Sequence, residues 1–208
     1  MAGQHGFART LPWNINVLES GSTAICSLSV SPETLAVWPF KFSLNYSVSI
    51  ESDGSLTTKL QVTNKDDKAF TFTTLLHTYF KVQGIEAFTV AGLQGLTYQD
   101  KLQTSSSSVE TRSEIIVKEE VDRNYLNVPG VVKFSNGKGQ VTIKKSGTLP
   151  DLVLWNPWIE KSRKMSDFDD EEYKEMVCLE AGKIGEFHSL EPGQDWTASQ
   201  TLSFSPNI

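Results

Sequence analysis

Cysteine is nearly absent: Cys26 and Cys178 are the only two in 208 residues. That argues against a disulfide scaffold or a zinc centre built on cysteine, and reduced thiols are the default. Histidine is almost as rare. His5, His77 and His188 lie far apart in sequence and give a metal site little support. There is no basic block, and a formal net charge of −6 is spread along the chain, so its field offers nucleic acid nothing. No run approaches the ~18 apolar residues of a membrane helix. The opening "MAGQHGFARTLPW" lacks the apolar stretch of a secretory signal. The sequon Asn45-Tyr46-Ser47 is therefore read as chance, and the cytoplasm is the expected compartment. Phosphate-loop, dinucleotide-loop, H-E-x-x-H and G-x-S-x-G motifs are all missing.

What is present is strand pattern. Phe42, Leu44, Tyr46, Val48 and Ile50 alternate with polar residues, the period of a half-buried strand. "SDGS" supplies an Asp-Gly turn and a second run starts at Leu56, which predicts a hairpin. Further strands are expected at 70–80, 85–91, 114–121, 131–134, 140–145, 151–155, 176–180 and 196–204, most of them short and separated by Gly, Pro, Asn or Ser. Only 166–176, "SDFDDEEYKEM", offers a short helix or an acidic loop, and 104–108 is a polar loop too short to be a linker. The distribution predicts an all-β antiparallel sandwich, with residues 1–208 as one domain.

Candidate functional residues emerge one by one, each beside a plainer reading. His77 lies within "TTLLHTYF" and is a usable acid near neutrality, or a packed strand residue. Glu180 ends the apolar run "MVCLE", where a carboxylate is costly to bury unless paired or protonated. Ala181 and Gly182 beside it would leave room for a ligand. Asp122 either pairs with Arg123 at the surface or accepts hydrogen bonds from sugar hydroxyls. Gln4, His5 and Arg9 cluster in "QHGFAR", and Arg9 offers a planar fork of donors to a phosphate. The competing reading is a disordered N-terminus, against which Phe7 and Trp13 are expensive to leave in water. Trp155 and Trp158 flank Asn156-Pro157, with sugar stacking or core packing open to either. The acidic run 167–172 lacks the spacing and central glycine of a calcium loop.

Taken in order, "QHGFAR", "LAVWPFKFSLNYSVSI", "LLHTYFKVQGIEAFTVAGLQGLTYQDKL", "VDRNYLNVP", "LVLWNPWIEKSRKMSDFDDEEYKEMVCLEAG" and "LEPGQDWTASQTLS" resemble the aldose 1-epimerase (galactose mutarotase-like) superfamily, in its glucose-6-phosphate 1-epimerase branch, which includes apospory-associated C-like proteins. The resemblance implies a large antiparallel β-sandwich whose cleft exchanges the α and β anomers of a hexose 6-phosphate, without metal or organic cofactor. It places the catalytic pair on His77 and Glu180, and substrate contacts on Gln4, Arg9 and Asp122, with Trp155 a stacking candidate. The protein is then expected to act as a monomer on glucose 6-phosphate, with no nucleic-acid or membrane partner.

The family carries a further segment before "QHGFAR", including an "RGGIP"-like stretch whose arginine also meets the phosphate. Here Met1-Ala2-Gly3 leads straight into Gln4. The expectation is an N-terminally incomplete sandwich with unpaired edges and weak exchange on its own. A non-catalytic sugar-phosphate-binding module is the alternative. A glycan-binding sandwich resting on Trp155 and Trp158 is a third reading.

Overall fold

The computed structural model describes residues 5–18, 21–103 and 107–207, so Gln4 and part of the 104–108 loop lie outside it. Strands come in the order β1 (Asn14–Val17), β2 (Thr23–Ser29), β3 (Phe42–Ile50), β4 (Leu56–Asn64), β5 (Phe70–Leu76), β6 (Tyr79–Lys81), β7 (Phe88–Ala91), β8 (Thr97–Asp100), β9 (Ser107–Val109), β10 (Glu114–Ile115), β11 (Val121–Tyr125), β12 (Val131–Asn136), β13 (Gly139–Lys145), β14 (Asp151–Asn156), β15 (Met176–Leu190) and β16 (Asp195–Pro206). Two short helices, α1 (Pro32–Val37) and α2 (Trp158–Ser162), interrupt them. Among the described residues no helix is long and apolar enough to cross a membrane. The chain divides into two compact units, Met1–Phe72 with Phe187–Thr201, and Thr73–Glu186 with Leu202–Ile208.

In the first unit β1 to β4 form an antiparallel meander, with β4 followed by the opening part of β16. The β3–β4 hairpin turns as the Asp-Gly signal requires. Ile50 faces Leu56, Gly54 sits at φ +81°, and the Asp53 carboxylate accepts from the Ser55 amide and hydroxyl. Helix α1 starts at a capping box made by Ser31 and Thr34. The aromatic side chains that water disfavours collect together. Phe7 packs on Trp38 and Phe42, and Trp38 meets Phe70 edge to face. His188 is a member of this cluster, lying against Phe72 and Trp196. Trp13 donates its indole N–H to the Ala8 carbonyl.

The second unit is a two-layer sandwich. One sheet carries the end of β16 with β13, β12, β7 and β10, and the other carries β5, β15, β14, β11, β8 and β9, with β6 also on β15. Alternation sends Phe88, Val90, Val132, Phe134, Val141 and Ile143 from the first sheet against Leu152, Leu154, Val177, Leu179 and Tyr125 from the second. The strand β14 is buried along its whole length, because its outer face is covered as well. There Val153, Trp155, Met176 and Cys178 pack with Leu75, Ile184, Met165 and Phe168.

Differences from expectation have local causes. The run 70–80 is broken at His77 and Thr78, where the Thr78 hydroxyl bonds the Leu76 carbonyl and takes the chain out of the ladder. Residues Ile85–Ala87 form a 3₁₀ turn before β7. The stretch 114–121 holds only β10 and the first residue of β11. In 166–176 the acidic residues form turns and one 3₁₀ turn, Glu172–Lys174, with the α-helix lying upstream at Trp158–Ser162. Gly182 leaves no room for a ligand: a Cβ there would stand 2.6 Å from Leu75 Cδ1 and 2.9 Å from the Thr74 carbonyl oxygen. Its missing side chain is what lets β5 lie this close to β15.

Candidate active site

The site is built on the outer face of the second sheet of the second unit. In a strand, residues two apart share a face, so Cys178 and Glu180 of β15 both point outward. Register extends that face sideways. Cys178 lies opposite Tyr79 and Trp155, Trp155 opposite Asp122, and the Lys101 amide bonds the Asp122 carbonyl. A second row runs through Glu180, Val153, Asn124 and Gln99. The break after β5 frees His77 from strand geometry and brings its Nδ1 to 3.4 Å from Glu180 Oε1.

Around this pair the groups are unequal. The His77 side chain is 32% exposed and that of Glu180 2%. Burial is the main reason that the Glu180 carboxyl is pushed up to about 8. The Lys101 charge opposes the shift and the Asp122 charge adds to it. Glu180 Oε2 and Asn124 Oδ1 are both buried without a hydrogen-bond partner among the described residues. Each is an acceptor with capacity to spare for a donor entering the site. Burial, and then the Glu180 charge, push the Cys178 thiol up, so it is a neutral S–H here.

Aromatic rings and charged side chains surround the pair. His77 stacks on Tyr79 with ring centres 5.0 Å apart and planes 8° from parallel. Trp155 stands edge-on to both rings. Asp122 is held between two cations, with Lys101 Nζ 3.4 Å from Oδ1 and Lys161 Nζ 3.9 Å from Oδ2. Lys161 also reaches Glu120 and lies over the Trp155 ring, 5.7 Å from its centre.

His77, Glu180, Asp122 and Trp155 thus converge. Arg9 lies in an exposed turn of the first unit, and Gln4 is outside the described residues. Asp122 and Arg123 do not pair with each other, since neighbours in a strand face opposite ways. Arg123 turns inward to Asp100 at 3.0 Å. Trp155 and Trp158 do not share a face either. Trp155 is 9% exposed and belongs to the outer cluster, whereas Trp158 packs on the inner core and on Tyr173. Tyr79, Lys101, Lys161, Cys178 and Asn124 did not stand out in the sequence, because cross-strand register, and for Lys161 the placement of helix α2, brings them here. The one local signal was the two-residue spacing of Cys178 and Glu180.

Comparison with known proteins supplies the family. The family model "Aldose 1-epimerase" matches residues 2–203. A protein of Cenchrus ciliaris named "Putative glucose-6-phosphate 1-epimerase" is 35% identical over 98% of this chain and 65% of its own length. An Escherichia coli K12 protein of the same name is 31% identical over 88% of this chain and 61% of its own. The chain therefore spans somewhat less than two thirds of these relatives. Among solved structures, a mutarotase-like protein of Salmonella typhimurium (YeaD) superposes with a TM-score of 0.86 at 25% identity, covering 98% of this chain and 68% of that one. The Slr1438 protein of Synechocystis shares the fold, with a TM-score of 0.82 at 23% identity over 99% of this chain and 70% of its own. The chain is a member of the aldose 1-epimerase family, with that family's antiparallel β-sandwich fold.

Proposed function

We propose that this chain carries the catalytic face of a hexose-6-phosphate 1-epimerase, with glucose 6-phosphate as its substrate. The observation that carries the proposal is the 3.4 Å approach of His77 Nδ1 to the buried Glu180 carboxylate. Opening a pyranose removes the proton from the anomeric hydroxyl and protonates the ring oxygen. Both oxygens sit on one carbon, so the base and the acid that serve them must be close neighbours. Glu180 takes the hydroxyl proton and His77 delivers one to the ring oxygen. The C1–C2 bond of the open aldehyde then rotates, and closure on the other carbonyl face runs the transfers in reverse. Asp122 receives sugar hydroxyls and limits the other motions of the open chain.

Burial serves this chemistry by making the Glu180 carboxylate a stronger base than a solvated one. Phosphorylated sugar is supported by the names of the curated relatives and by Lys101 and Lys161, half-exposed cations beside Asp122. Arg9 stays a candidate phosphate contact, and Gln4 a candidate substrate contact.

The test is two-dimensional exchange NMR on glucose 6-phosphate, with the wild-type chain and Glu180→Gln. The wild type should speed anomer exchange above buffer, and the variant should lose about 10²–10⁴ of that acceleration while still binding the sugar phosphate. Equal rates in the two proteins overturn the assignment. Binding without exchange in the wild type favours a non-catalytic sugar-phosphate module instead.

A further inference from the structure

We propose that His77, Cys178 and Glu180 bind one thiophilic divalent cation of the zinc class, and that cation and sugar exclude each other; only this second half rests on the function proposed above. The ligand atoms of the three residues all lie within 4.8 Å of one another. Tetrahedral zinc with bonds of ~2.0–2.3 Å holds its ligand atoms roughly 3.3–3.8 Å apart. The His77 Nδ1 to Glu180 Oε1 separation of 3.4 Å already fits, and the sulfur, within 4.8 Å of the other ligand atoms, would close in by at most about 1.5 Å on binding. The donors are one nitrogen, one sulfur and one carboxylate oxygen. Zinc and cobalt accept that mixture, whereas magnesium and calcium seek shells of oxygen.

Two further features favour a cation here. Glu180 Oε2 is buried with no hydrogen-bond partner among the described residues, so an acceptor is already stripped of water. Cys178 is fixed on β15 between β14 and β6, and Glu180 is held opposite Val153 of β14, so the backbone cost of assembling these two ligands is already met. The partly exposed imidazole gives access from solvent. Three protein ligands leave the fourth position to water. On binding, the Cys178 thiol gives up its proton to solvent and coordinates as thiolate, with no redox change. Because His77 and Glu180 then both hold the cation, neither can serve a sugar.

Cobalt(II) titration of the full chain reads the site directly. One equivalent should bring tetrahedral visible bands and a near-ultraviolet thiolate-to-cobalt charge-transfer band. Cys178→Ala should lose that band, and both Cys178→Ala and the surface variant His77→Ala should bind Zn²⁺ at least tenfold more weakly. Circular dichroism checks that each variant is folded. Cys26→Ser should leave the band unchanged. Absence of the band in wild-type protein, or its persistence in Cys178→Ala, overturns the site. Glucose 6-phosphate should weaken the cobalt spectrum more than the same concentration of inorganic phosphate, the control for capture of cation by phosphate. A spectrum equally insensitive to both overturns mutual exclusion and leaves the metal site standing. Because the bands need no turnover, a chain that fails to exchange anomers still reports on the metal.

Discussion

Two glutamates of the second unit are equally withdrawn from water, Glu110 and Glu180 at 2% exposure each, yet their protons behave oppositely. Burial alone pushes both carboxyls up. At Glu110 that push is overcome by the Arg112 fork at 2.7 Å and the Tyr125 hydroxyl at 2.7 Å, and the carboxyl falls to about 2. Arg123, itself paired with Asp100, stands 4.0 Å away as a further cation. At Glu180 the facing group is a partly exposed imidazole at 3.4 Å, one oxygen has no hydrogen bond among the described residues, and the carboxyl rises to about 8. The lesson is that burial does not set the charge of an acid; the number and fixity of donors around it do. One carboxylate is spent on structure, and the other keeps an unspent acceptor for a visitor.

The comparison breaks hardest at Glu180. Glu180→Gln should cost about 10²–10⁴ in anomer exchange, measured by NMR, with no loss of thermal stability because an under-solvated acid is removed. Glu110→Gln should do the reverse. It leaves Arg112 and Tyr125 without their ion, so chemical denaturation should show a loss on the order of 3 kcal/mol, while any exchange per folded molecule stays near wild type.

The opposite shifts also predict opposite pH limbs in denaturation midpoints. Glu110, depressed from 4.5 to about 2, contributes stability that is present above pH 4.5 and lost as pH falls through 2. Glu180, raised from 4.5 to about 8, contributes stability present below pH 4.5 and lost as pH rises through 8. Glu180→Gln should flatten the alkaline limb only; an unchanged limb would mean that Glu180 is not the group titrating there. The smallest effect belongs to Lys101→Met. Removing a cation that favours ionised Glu180 should move the pH–rate profile of exchange to higher pH, by an amount that salt reduces.

The sequence made regular parts of this fold readable where one face of a strand is dry and the other wet. Strands β3 and β4 and their Asp-Gly turn followed from alternation. Strand β11 did not, because Arg123 points into the interior to meet Asp100, and a polar residue on the inner face erases the period of two. Strands β1 and β8 are mostly exposed or polar and carry no such pattern. Of the candidate site, residue type and context marked His77, Glu180 and Asp122, and the family resemblance lifted them above their plainer readings. Lys101 and Tyr79 reach it through cross-strand register, and Lys161 from helix α2, placements that no local pattern encodes.

Gly182 carries a consequence beyond its own strand. The hydrogen it presents is all that separates β15 from the Thr74 carbonyl and the Leu75 side chain, and the imidazole follows two residues after Leu75, just past the end of β5. A methyl group there would have to push the passing backbone aside, and His77 would travel with it. The 3.4 Å approach of His77 to Glu180 therefore depends on an atom that touches neither of them, and an alanine at this position should widen that gap while leaving both side chains in the sequence.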